Sequence, residues 1–71
     1  MWVIRKTTIE SGEKYYKGSA FVYAGSAEAS FTSDPTKAVS FDTQQEGMEF
    51  AIDCGMIFCF GVENINVVKA I

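Results

Sequence analysis

A small α+β domain, with an antiparallel sheet of about four strands and one main helix packed on one face, is what this sequence of 71 residues predicts. Three observations carry that reading. Segments rich in β-branched and aromatic residues stand near both ends, at residues 2–9 and 65–69. Residues 44–54 follow a helical apolar period, opened by a capping sequence and closed by Gly55. Between the first strand and that helix, short turns at residues 10–13 and 25–26 break up further extended segments, which gives a meander.

Taken in order, Trp2-Val3-Ile4-Arg5-Lys6-Thr7-Thr8-Ile9 reads as the first strand and Glu10-Ser11-Gly12-Glu13 as a turn. Lys14-Tyr15-Tyr16-Lys17 resumes extended structure, Gly18 marks a bend, and Phe21-Val22-Tyr23 continues to the turn at Gly25-Ser26. Residues 27–32 give a shorter return strand ending in Phe31. Ser33-Asp34-Pro35 starts a short helix reaching about Val39, because aspartate caps free amides and proline suits the first helical position. Thr43-Gln44-Gln45-Glu46 has capping-box spacing, so the main helix begins at Gln44, runs to Cys54 and stops at Gly55, which favours a left-handed cap.

Met56-Ile57-Phe58-Cys59-Phe60 is too apolar to be exposed and is read as extended, and Ile65-Asn66-Val67-Val68-Lys69 closes the chain as a last strand. The element order is β-β-β-α-α-β. The first and last strands are expected to pair, with Val67 or Val68 touching the core. Ile4, Phe21, Phe41, Met48, Ala51 and Phe58 are the expected buried residues.

One domain spans residues 1–71, near the lower size limit for a self-supporting core, where only about 60% of the unfolded surface is buried. Ten aromatic residues and a single proline mark a folding chain, not a disordered tail. No apolar run approaches the roughly 20 residues of a membrane span. In Met1-Trp2-Val3-Ile4-Arg5-Lys6 the charge follows the apolar residues, the reverse of a secretory signal, so a soluble cytoplasmic protein is expected.

Histidine is absent, and Cys54 and Cys59 are the only cysteines. Two thiols alone cannot complete a four-ligand zinc site, and they lack the base that normally activates a nucleophilic cysteine. Free buried thiols are expected, Cys54 ending the helix and Cys59 in a strand, with no cofactor and no metal.

Charge is unevenly spread. Through Ala27 the chain carries four cations against two acids, and from Glu28 onward seven acids against Lys37 and Lys69. Within the acidic part, Asp42, Glu46, Glu49 and Asp53 are spaced by four, three and four residues. At about 100° per residue they fall within an arc of roughly 60°. The opposite face carries Gly47, Met48, Ala51, Cys54 and Gly55. These four acids are the candidate partner-binding residues. Side-chain carboxylates three and four positions apart stand about 5–6 Å from one another, close to the phosphate spacing of a nucleic-acid strand, so such a stripe can meet Lys and Arg that hold a backbone.

Two structural roles compete with that reading. Any amphipathic surface helix has a solvated polar face, Glu46 is a capping partner, and Asp42 lies at the positive end of the helix dipole. Against them stands the lack of interspersed lysine, since like charges at these spacings weaken a helix by a few tenths of a kcal/mol per pair. A linear stripe is not a convergent pocket, so catalysis is not expected and the protein is read as no enzyme. The alternative is a small nucleic-acid-binding or adaptor module that uses Arg5, Lys14 and Lys17 beside Tyr15 and Tyr16.

The elements Trp2-Val3-Ile4, Tyr15-Tyr16-Lys17-Gly18 and Phe31-Thr32-Ser33-Asp34-Pro35-Thr36-Lys37-Ala38-Val39-Ser40-Phe41-Asp42, followed by Glu46 and Ala51, resemble a pattern of short phage and prophage proteins. Those proteins have a Tyr/Trp-Val-Ile strand, a Tyr-Tyr-x-Gly element and a Trp/Phe-Thr-x-Asp-x-x-x-Ala-x-x-Phe stretch leading into a helix. The resemblance covers residues 2–52, with Gly47 where such proteins often have alanine. It implies a phage origin and a place in the host cytoplasm. It also implies an inhibitor of host defence of the anti-CRISPR kind, a DNA mimic acting by protein–protein interaction. The implied partner is a host complex with a basic surface, such as a CRISPR effector, with no direct nucleic acid and no membrane. The protein itself is expected to be a monomer.

Overall fold

The computed structural model describes residues 1–10, 12–18 and 31–70. The elements are β1 (Trp2–Thr8), β2 (Gly12–Tyr16), β3 (Phe31–Thr32), a 3₁₀ turn (Pro35–Lys37), α1 (Gln44–Asp53), α2 (Met56–Phe60), a second 3₁₀ turn (Val62–Asn64) and β4 (Ile65–Lys69). The expected strand at residues 21–23, the turn at Gly25-Ser26, most of the return strand and core residue Phe21 lie outside the described residues.

The four strands form one antiparallel sheet in the order β3-β2-β1-β4, and the two helices pack against it. The first three strands are therefore the expected meander. The chain ends meet as expected, with Ile4 opposite Val67 and Lys6 opposite Ile65. Residues 39–41 extend the sheet beside the first half of β1. Val39 N–H donates to the Tyr16 carbonyl at 2.9 Å, and Trp2 and Phe41 exchange backbone bonds of 2.9 and 2.7 Å.

Strand alternation assigns the faces. Ile4, Lys6, Tyr16, Phe31, Ile65 and Val67 are buried on the face that α1 and α2 cover, and Ala51 and Met56 meet them from the helices. Gly47 lets α1 approach β4: a Cβ there would stand 2.8 Å from Val67 Cγ1. A glycine inside a helix weakens it by about 1 kcal/mol, and here it permits the close contact.

The Asp34 cap forms as read, and at Thr43 the threonine half of the expected box forms. The Asp34 carboxylate accepts from the Thr36 amide at 3.0 Å and the Thr36 hydroxyl at 2.7 Å, which holds its pKa below the ordinary value. That segment is a single 3₁₀ turn and stops at Lys37, short of Val39. Thr43 Oγ1 accepts from Glu46 N–H at 3.1 Å.

Two expectations are corrected. Met56–Phe60 is a short helix and not extended, so it supplies the second packed helix and Cys59 lies in it. Gly55 ends α1 in the left-handed region, with φ of 84°, and the chain winds again at once, closing with Cys59 N–H on the Gly55 carbonyl at 3.0 Å. A run of apolar residues this short has the same pattern in a buried strand and a buried helix. The helical period turns Met56 and Phe60 toward the core and Phe58 away, so Phe58 is 84% exposed and not buried. Phe41 and Met48, expected to be largely buried, pack against the core at intermediate exposure.

Candidate functional site

The main helix starts where Thr43 caps it, which puts Asp42 just outside the helix, in the extended entry that follows the Trp2–Phe41 bridge. Glu46, Glu49 and Asp53 project from α1 itself. All four carboxylates are exposed, and all four line one open concavity of about 500 Å³, together with Ser40, Phe41 and Phe50. The Phe41 and Phe50 rings lie 5.5 Å apart, centroid to centroid. Among the described residues no cation lines this surface.

Two local bonds matter for how free the carboxylates are. Glu49 accepts from Gln45 Nε2 at 3.1 Å, one turn back. Only half of the capping box forms: Thr43 serves Glu46 N–H, and the Glu46 carboxylate makes no return bond among the described residues. The capping role expected for this side chain is therefore not taken up, and its charge stays on the surface. What the arrangement can do chemically is present four anionic groups around an aromatic patch, a surface suited to guanidinium and ammonium groups.

The basic and aromatic residues of the alternative reading divide between the sheet faces. Arg5 stands opposite Tyr15 on the face turned away from the helices, whereas Lys14 stands opposite Lys6 on the other. Tyr16 is buried between Phe31 and Phe50, at centroid distances of 5.9 and 5.3 Å, so its ring has no face left for a base. Burial raises its pKa, with a smaller contribution from Cys54. Arg5 Nε is buried without a hydrogen-bond partner among the described residues.

Lys6 is the residue that sequence reasoning passed over. It is 0% exposed, and its Nζ lies 4.8 Å from the Phe31 ring centroid and 4.5 Å from that of Phe60. The signal was its position in strand alternation, two residues after Ile4 on the core face. Cys54 and Cys59 form no disulfide, as expected, and are half-buried where burial was expected. Burial raises the Cys54 pKa, and the thiol contacts the Ala51 carbonyl at 3.7 Å. Among the described residues no group of three or more His, Cys, Asp and Glu side chains could hold a metal ion, and no helix is long and apolar enough to cross a membrane.

No protein-family model matches the chain, and no curated protein and no solved structure is significantly similar to it.

Proposed function

We propose that this protein is a phage-encoded inhibitor of a host defence complex, anti-CRISPR-like in action, which binds a basic nucleic-acid-holding surface through Asp42, Glu46, Glu49 and Asp53. The single observation that carries the reading is that these four carboxylates line one concavity that no cation interrupts among the described residues. The unreturned capping bond of Glu46 adds support, because that charge is available to a partner. The reading is one of binding and not of catalysis, with a protein as the partner and the host cytoplasm as the setting. The nucleic-acid alternative has less behind it, since Tyr16 is buried and Lys14 lies on the other face from Arg5 and Tyr15.

The test is neutralisation at constant shape: Glu46→Gln, Glu49→Gln and Asp53→Asn together. Wild-type protein should capture a host complex from lysate, lose it steeply as salt rises, and be displaced by DNA. The folded triple variant should lose most of that capture, and Glu49→Lys with Asp53→Lys should be worse, because repulsion is added. Changes at Arg5, Lys14 and Lys17 should matter little. A neutralised variant that captures the same complex as tightly as wild type removes the acidic surface from function.

A further inference from the structure

We draw no further inference here: the strongest candidate, the Arg5 Nε on the sheet face turned away from the helices, which has no hydrogen-bond partner among the described residues, is a single atom buried from solvent, and nothing in the structure shows what ligand would reach it.

Discussion

Gly47 and Val67 meet so closely that a methyl group on Gly47 would stand 2.8 Å from Val67 Cγ1 and 3.4 Å from Phe41 Cδ2. The contact joins α1 to the last strand. It also explains why a residue costly to a helix stands near the helix's middle.

Gly47→Ala should therefore be destabilising despite its helical preference. The propensity gain of about 1 kcal/mol is set against an overpacking cost of about 1–3 kcal/mol, because Val67 is β-branched and has no freedom to swing aside. In a Val67→Ala background the obstruction is gone, and the same change should stabilise by about 1 kcal/mol. Denaturant midpoints of the four proteins in this cycle would show the reversal of sign. Equal effects in both backgrounds would mean that the helix does not sit as close to β4 as described.

Lys6 should be sensitive in two separable ways. Lys6→Ala removes the buried stem and the charge and should lose about 2–4 kcal/mol, in the range for emptying a core position of similar size. Lys6→Met keeps the stem and loses only the head group, so it should cost less. What remains reports the contacts of the head group, among them those with the Phe31 and Phe60 rings. If both variants melt with wild type, the side chain does not sit between those rings.

Tyr16 sets an alkaline limit. Its folded pKa is raised above the ordinary tyrosine value, chiefly by burial. Above about pH 10 the unfolded chain gives up this proton more readily than the folded one. Stability is therefore full below that pH and declines as pH climbs from there through the folded-state pKa. Tyr16→Phe should shift overall stability but flatten this decline, as followed by denaturant midpoints over the alkaline range. An equally steep decline in the phenylalanine variant would assign it to other groups.

Thr43→Ala should cost about 1 kcal/mol, since the Glu46 amide loses its acceptor at the start of α1. Glu46→Gln should have a much smaller effect on stability, because its carboxylate makes no capping bond. A similar loss from both would show that the box closes in solution. The comparison also decides whether Glu46 variants are clean probes of binding.

Periodicity and capping chemistry made most of the fold legible. Trp2–Thr8, Gln44–Asp53 and Ile65–Lys69 each carry a pattern that only one backbone geometry satisfies, and Thr43 and Gly55 mark where the long helix starts and stops. Met56–Phe60 lacks such a pattern. All five residues are apolar, so nothing in their order distinguishes a face, and the left-handed Gly55 that ends one helix gave no hint of a second beginning. Phe58 was misplaced as a consequence. The acidic residues were legible as a group because three of them share a helix. Asp42 joins them from the bend just before the helix, a convergence that helical spacing anticipated for a different reason. The burial of Lys6 was visible only through alternation from Ile4, against the usual expectation for a lysine.

The pairing of β1 with β4 also governs how the protein can be made. Residues 2–8 leave the ribosome well before residues 65–69, which supply one of their two strand neighbours. Until that last strand is released, the core face of β1 lacks Ile65 and Val67, and α1 has nothing to close against at Gly47. The nascent chain must then wait with Ile4 and Trp2 incompletely covered. The domain should fold in one late step once residues 65–69 are available to pair, at the slower pace that long-range pairing imposes, and not segment by segment.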